Sequence, residues 1–524
     1  MEVTAFIMEE AEYKSLLDGI FLRFPSVQNA GFTGDAYKPG LDRMSQFLEL
    51  LGNPQSAYKC IHVAGTNGKG SVCNMLASVL AAKGYRTGLY TSPHIIDFRE
   101  RMRIVDETVD GSYEGHQDTA SGRRGLGKCL PQYRQCRRPL GCHFDRSGEI
   151  YSLVPKEYVY EFLKEWSETF DKLQLSFFEI TTGMAFKWFA DAGVDYAVVE
   201  VGLGGRLDST NVITPVLSII TSIGLDHCDL LGDTLEKIAF EKAGIIKPMV
   251  PVVIGEYRPE TAPVFLQVAS ERKSPIFFAE ISPLRPSNSG RNDNPVMSSE
   301  VETSQIHLDL QGEYQKANVR TVLTALAVLG LEPDLDAIAH TAARTGFAGR
   351  WEHLSEDPLV ICDIGHNAHA LKHNFAQLEG MMASGVYDCL IIVYAVMADK
   401  DLDSIMPLMP RRARYIFTTP KGKRALPAER ILEKFVAYRE ISPLASLGRN
   451  DKESSPGRND KESSPGRNDK ESSPGRNDRD VAIDDVAEAV KKALLMASAY
   501  KKPIIYIGGS TFAVAEAKPE FGQK

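Results

Sequence analysis

Seven consecutive residues, Gly65-Thr66-Asn67-Gly68-Lys69-Gly70-Ser71, have the types that bind a phosphate chain. Glycines let backbone N–H groups approach phosphate oxygens, and a helix starting there adds its partial positive charge. Lys69 can reach the β- and γ-phosphates, and the Ser71 hydroxyl can ligate Mg²⁺. The usual spacing is G-x-x-x-x-G-K-[ST]. Here it is one residue shorter before Gly-Lys, and Gly70 separates Lys69 from Ser71. A glycine-rich strand-to-helix turn without a ligand is the plainer alternative. The apolar run before the loop and the helical pattern from Ser71 to about Lys83 favour the phosphate cradle. Two other constellations are weaker. Gly202-Leu203-Gly204-Gly205 lacks the full dinucleotide spacing, which disfavours a nicotinamide enzyme. Cys129, Cys136, Cys142 and His143 do not have the spacing of structural zinc.

The elements around the loop set its frame. CIHVAG (60–65), TGLYTS (87–92), YAVVEVG (196–202), VLSIITSIG (216–224) and PVVIG (251–255) read as buried parallel strands. LVICDIG (359–365), CLIIVYAV (389–396), YIFTT (415–419) and PIIYIGG (503–509) resume the rhythm later. ANVRTVLTALAVLG (317–330) and VAEAVKKALLMASAY (486–500) read as helices. Strands alternating with helices predict α/β architecture with mostly parallel sheets, in two series split near 283–304. We therefore expect a first domain over 1–303, ending in a Pro/Ser/Asn-rich linker at 283–303, and a second over 304–524.

Two further tracts interrupt these series. Residues 106–147 are rich in Gly and Arg with little hydrophobic periodicity, and read as an atypical insertion. GRNDKESSP occurs three times in tandem from 448, followed by GRND up to 478. A charge-neutral repeat with no apolar residue cannot bury a core, so it reads as a disordered, solvated surface insertion.

The 524-residue chain is 43% hydrophobic with a net charge of -9, which supports neither a nucleic-acid nor a membrane-surface role. No apolar run is long enough to span a bilayer. The N-terminus shows no basic segment followed by an apolar stretch, and eight cysteines are too few for a disulfide scaffold. The expectation is a reduced, cytoplasmic protein, acting as a monomer on small molecules.

GTNGKGS (65–71), TSPH (91–94), EVGLGGRLDSTN (200–211), DH (226–227), EKAGI (241–245), GRWE (349–352) and DIGHN (363–367) stand in that order. Together they resemble the dihydrofolate synthase/folylpolyglutamate synthase branch of the Mur ligase superfamily. The resemblance implies a P-loop ATP-binding domain followed by a smaller Rossmann-like domain. It also implies an ATP-dependent ligase that adds L-glutamate to dihydropteroate, to reduced folates, or to both, through an acyl phosphate.

Such chemistry sets anions against anions, so cations must neutralise the developing charge. The resemblance implies two Mg²⁺ ions. Glu200 ends a strand, where open α/β sheets place ligands, and is implied as a metal ligand with Ser71 or Ser92 on the same ion. His227 is implied as a ligand of the second ion. A lone His beside an Asp is otherwise a structural or solvent-facing residue, and Mg²⁺ favours oxygen. Lys242 cannot ligate a cation as an ammonium. The resemblance implies that CO₂ carbamylates it into an anionic acceptor; the alternative is a lysine on a helix surface. Lys69, His227 and Lys242 are the implied catalytic residues.

Asn318, Arg350, Asp363 and His366 match positions that contact ATP in the family. The family form D-[GA]-A-H-N is altered here to Asp363-Ile364-Gly365-His366-Asn367. For the pterin-bearing substrate the resemblance points to Leu41-Asp42-Arg43, Phe177-Phe178-Glu179 and Leu207-Asp208-Ser209. Aromatic faces suit a flat heterocycle, although Phe177 and Phe178 fit an ordinary core equally well. Arg99 and Arg101 suit a carboxylate or a solvated helix face. Two other functions would fit part of this pattern. A Mur ligase acting on a cell-wall precursor would need its own nucleotide-binding N-terminal domain, and only about 60 residues precede the loop. A P-loop NTPase that is not a ligase leaves EVGLGGRLDSTN and EKAGI unexplained.

Overall fold

The computed structural model describes residues 10–31, 36–107, 150–279, 306–446 and 480–522. The expected linker at 283–303, the repeat at 448–478, the four zinc candidates and the expected insertion from 108 onward lie outside the described residues. Contacts divide the chain into two units, Met1–Glu352 and His353–Lys524.

The first unit is built on an eight-stranded sheet. Its strands are β1 (Lys59–Ala64), β2 (Thr87–Tyr90), β3 (Met102–Val105), β4 (Tyr151–Leu153), β5 (Tyr196–Glu200), β6 (Leu217–Ile220), β7 (Val252–Ile254) and β8 (Ile276–Phe278). Their order is β4-β3-β2-β5-β1-β6-β7-β8. The five strands expected from apolar runs are present and pair in parallel. β3 and β4 join antiparallel at one edge. Neither gave a sequence signal: Arg103 interrupts the apolar run of β3, and β4 has only three residues.

β1 is central and alternates its faces. Ile61 and Val63 pack with Val72, Leu76 and Leu80 of the helix Lys69–Ala82. Cys60 joins the opposite core with Ile180 and Met184 of the helix Phe177–Asp191. Every residue from Gly70 to Ala81 is buried. At roughly 1.5–3 kcal/mol for each large apolar side chain buried, this burial pins the helix and the loop that starts it.

Val319, Val322 and Leu326, on the helix Gln315–Leu329, share that core, as does Ile338. The helix expected to open the second domain therefore belongs to the first. The contact boundary falls after 352, not at 303/304, because the apolar face of this helix is buried against the loop-bearing helix.

The second unit holds β9 (Glu352–Glu356) from its second residue on, β10 (Leu359–Asp363), β11 (Cys389–Tyr394), β12 (Arg414–Thr418), β13 (Asp480–Ile483) and β14 (Pro503–Gly508). They are ordered β13-β12-β11-β14-β10-β9, and β10, β14, β11, β12 and β13 pair in parallel. The four expected strands form the middle of this sheet. Among the described residues no helix is long and apolar enough to cross a membrane. Among the described residues, none of Cys60, Cys73, Cys228, Cys362 and Cys389 takes part in a disulfide.

Candidate active site

Register places the ends of three strands side by side: Val63 pairs with Glu200, and Ala64 with Ile220. The loop 65–71 leaves β1 at this edge, where open α/β sheets bind ligands. Gly65 (φ +149) would drive an added Cβ to 1.8 Å from the Thr221 Oγ1. Gly68 (φ +86) caps the helix in the left-handed region, and a Cβ there would meet the Asn318 Oδ1 at 2.3 Å. Both positions therefore require glycine. The segment after β6 braces the loop. The Thr221 and Ser222 hydroxyls donate to the Asn67 carbonyl at 2.6 and 3.1 Å, and the Thr66 hydroxyl donates to the Gly224 carbonyl at 3.1 Å. The signal for that brace was the Thr-Ser pair just past the β6 run, which sequence reasoning read only as strand.

The charged groups gather on this loop. The Lys69 Nζ donates to the Gly65 and Thr66 carbonyls at 3.1 and 3.2 Å. The Lys242 Nζ donates to the same Gly65 oxygen at 2.9 Å. Lys242 is buried, so the helix-surface alternative falls. Burial, reinforced by the nearby Lys69, pushes its pKa down to about 7, against the opposing pull of Asp226 and Asp208. Glu200 is also buried. Desolvation raises its pKa, while Lys69, the Ser92 N–H, Arg350 and Arg101 oppose the rise. The Ser92 N–H donates to the Glu200 Oε2 at 3.0 Å.

The Ser71 hydroxyl is buried with no hydrogen-bond partner among the described residues. Such a group costs about 1–3 kcal/mol, and a hard cation would satisfy it. Among the described residues no three His, Cys, Asp or Glu side chains group as a metal site. A mixed set of hydroxyl, carboxylate and water oxygens is the set that Mg²⁺ takes, so the residues fit the ion. His227 has left-handed backbone (φ +53), with its N–H donating to the Asp226 Oδ1 at 3.0 Å.

The residues implied for the acceptor fall into two clusters. Arg43 pairs with Glu179 at 3.2 Å and donates to the Lys38 carbonyl at 2.7 Å. This joins the helix Asp42–Leu50, which Leu41 caps, to the helix Phe177–Asp191. The Glu179 carboxylate also accepts from the Ser176 N–H at 2.7 Å, in a capping box that starts its own helix. Phe177 is a core residue, stacked on Phe21 at 5.1 Å. Phe178 is partly buried. It lies over Gly202, where an added Cβ would stand 2.6 Å from its ring, and 5.9 Å from the Tyr90 ring.

The second cluster is the loop after β5. Asp208, between Leu207 and Ser209, is buried and caps the short helix Ser209–Val212 through the Thr210 N–H. Arg101 is buried as well, which removes its solvated-face alternative. It donates to the His94 Nδ1 at 2.9 Å and the Gln28 Oε1 at 3.1 Å, and lies over the Phe177 ring at 5.4 Å. Arg99 is held by Asp97 at 2.7 Å.

The implied nucleotide residues divide between the units. In the first, Asn318 donates to the Gln315 Oε1 at 2.7 Å, and the Arg350 guanidinium lies 5.2 Å from the Phe347 ring. A Cβ added at Gly70 would meet the Phe347 ring at 3.2 Å. In the second, Asp363 ends β10 and accepts from the Gly365 N–H at 2.7 Å and the Asn374 Nδ2 at 2.9 Å. The His366 Nδ1 donates to the Ile364 carbonyl at 3.1 Å.

Residues 158–328 match the Mur ligase middle domain, and residues 349–453 match the Mur ligase glutamate ligase domain. A dihydrofolate synthase/folylpolyglutamate synthase of Bacillus subtilis is 32% identical over 384 residues, covering 70% of this chain and 78% of that protein. Among solved structures, Escherichia coli FolC in complex with DHPP and ADP superposes with a TM-score of 0.64 at 25% identity, covering 96% of each chain. A bifunctional folylpolyglutamate synthase/dihydrofolate synthase with Mn, AMPPNP and L-glutamate bound gives 0.62 at 25% identity, covering 91% of this chain and 93% of that one.

Proposed function

The chain belongs to the dihydrofolate synthase/folylpolyglutamate synthase family of Mur ligases, and from that premise we propose that it joins the α-amine of L-glutamate to the carboxylate of dihydropteroate, of a reduced folate, or of both. It is an ATP-dependent ligase that uses a divalent metal ion. The observation that carries the specific reading is the convergence of Lys69, Lys242 and Glu200 on one glycine-rich loop. A nucleotide switch needs the loop and a cation. It does not need a second buried amine on the loop's first carbonyl, nor a glutamate ligase domain after it.

The loop N–H groups and the helix N-terminus hold the triphosphate. Lys69 exchanges its two backbone acceptors for the transferring phosphoryl group. The acceptor carboxylate oxygen bonds to the γ-phosphorus, the bond to the β–γ bridging oxygen breaks, and ADP leaves. The glutamate amine then attacks the acyl carbon; phosphate departs, an amide forms and the amine gives up a proton. Ser71, Ser92 and Glu200 would hold one Mg²⁺, and His227 with a carbamylated Lys242 a second. Bound there, the metal supplies charge neutralisation for the phosphoryl oxygens.

Asn318, Arg350, Asp363 and His366 are assigned to the nucleotide, and Leu41, Asp42, Arg43, Phe177, Phe178, Glu179, Leu207, Asp208 and Ser209 to the pterin-bearing acceptor. We read the protein as a cytoplasmic monomer with small-molecule substrates. The test is phosphate release from ATP with dihydropteroate or tetrahydrofolate, each with and without L-glutamate. Turnover that needs an acceptor and glutamate together supports the ligase reading. Equal release without glutamate contradicts it.

A further inference from the structure

His62 sits in the middle of β1, fully buried, on the face opposite the helix Lys69–Ala82. Its Nε2 is 2.8 Å from the Thr210 Oγ1. The Thr210 hydroxyl donates to the Asp208 Oδ1, which also accepts the Thr210 N–H at 3.0 Å. The other Asp208 oxygen accepts from the Leu203 N–H at 2.8 Å. A hydroxyl has one proton, and here it goes to the carboxylate. The Thr210 oxygen must therefore accept from His62, which places the imidazole proton on Nε2. The Nδ1 of a neutral ring is then a bare acceptor, and it is buried with no hydrogen-bond partner among the described residues. Burial, aided by Lys247, pushes the His62 pKa down to about 3, so the ring stays neutral.

This is a costly thing to place in a sheet core, since an unpaired buried polar atom is unfavourable by about 1–3 kcal/mol. Ile61 and Val63 on either side of His62 are plain core residues. What the ring adds is a fixed donor that spans two functional segments. His62 lies on the strand that ends in the phosphate loop, and Asp208 closes the glycine-rich loop after β5.

We propose that His62 is a positioning residue for the acceptor site: through Thr210 it fixes the direction of the Asp208 carboxylate and, with it, the loop from Gly202 to Asp208. The proposal rests on the assignment of Asp208 to the pterin-bearing acceptor. It extends that assignment to a residue the acceptor never touches.

The test uses the full chain. In ¹⁵N-histidine-labelled protein, His62 should show the Nε2–H tautomer throughout pH 6–8, and the signal should shift in Thr210→Val but not in Thr210→Ser. In kinetics, His62→Leu should raise the acceptor KM about tenfold and leave the ATP KM within about twofold. His62→Gln, whose side-chain amide puts a donor near the same place, should recover most of that loss. In an Asp208→Asn background, His62→Leu should add nothing further to the acceptor KM.

An Nδ1–H tautomer, a Gln variant as impaired as the Leu variant, or full additivity with Asp208→Asn would overturn the proposal. If His62→Leu does not fold, Thr210→Val with Thr210→Ser as its control carries the same kinetic comparison. If the wild-type chain shows no glutamate ligation, the functional reading fails. The tautomer measurement would still decide whether the relay exists.

Discussion

The Nζ of Lys242 and the carbonyl oxygen of Gly65 are 2.9 Å apart, although 177 residues separate them in sequence. That bond ties the helix Leu235–Ala243 to the first residue of the phosphate loop. Lys69 donates to the same oxygen from the other end of the loop. Burial, reinforced by repulsion from the Lys69 ammonium, makes Lys242 give up its proton more easily.

The first prediction follows from that neutral amine. CO₂ adds to a free amine and not to an ammonium, so carbamate on Lys242 should build up as pH rises through about 7 and with added bicarbonate. The linkage sign agrees. The folded-state pKa is depressed, so the unfolded chain binds more protons between about 7 and the ordinary lysine range, and this residue's effect on stability becomes more favourable with rising pH there. Lys242→Ala should lose most activity, with partial rescue by small carboxylates. Lys242→Arg should stay inactive, because guanidinium keeps its charge. ¹³C NMR with labelled bicarbonate checks the adduct; a fully active Lys242→Arg enzyme would remove it from the mechanism.

Lys69→Ala should cut turnover by about two to three orders of magnitude, the scale of losing one preorganised donor to a developing anion. Its present bonds are to carbonyls of its own loop, which water can replace, so the melting temperature should barely move. Near-normal turnover in the folded variant would refute the phosphate-loop assignment.

Ser71→Ala separates stability from function. Its buried hydroxyl has no hydrogen-bond partner among the described residues, so deleting it should leave the melting temperature unchanged or slightly higher. The Mg²⁺ concentration for half-maximal activity should rise about tenfold or more, as read by metal titration after chelator treatment. An unchanged Mg²⁺ requirement would take Ser71 out of the metal site.

Gly68→Ala tests the shape of the cradle. The left-handed backbone costs a side chain about 1–2 kcal/mol, and the new Cβ would also press on Asn318. The ATP KM should rise about tenfold while the acceptor KM stays within about twofold. Isothermal titration with a non-hydrolysable ATP analogue gives the same comparison without turnover.

The parts of this site legible in the sequence were those with local geometry. A strand, two obligatory glycines, a lysine and a helix lie within about twenty residues, so the cradle was readable from 60 to 80. Long apolar runs likewise gave the central strands. β4 and β8 gave no signal because each is a three-residue edge strand, only partly buried, without the fully buried β-branched run that marks β7, and β3 because Arg103 turns inward to donate to the Thr345 carbonyl. The domain boundary was missed for a related reason. A polar tract looks like a border, yet the helix after it buries Val319, Val322 and Leu326 in the first unit. In the sequence His62 is one residue of an apolar strand. Its partner Thr210 is 148 residues away, and no local pattern connects them.

The central claim is that the acceptor carboxylate is phosphorylated before the amine attacks. Dihydropteroate or a reduced folate, whichever the enzyme accepts, labelled with ¹⁸O at both oxygens of that carboxylate and turned over with ATP and L-glutamate, tests it directly. The account predicts one ¹⁸O in the released phosphate for each amide formed, measured by mass spectrometry or by the ³¹P isotope shift. Phosphate free of ¹⁸O, alongside normal amide formation, would contradict it.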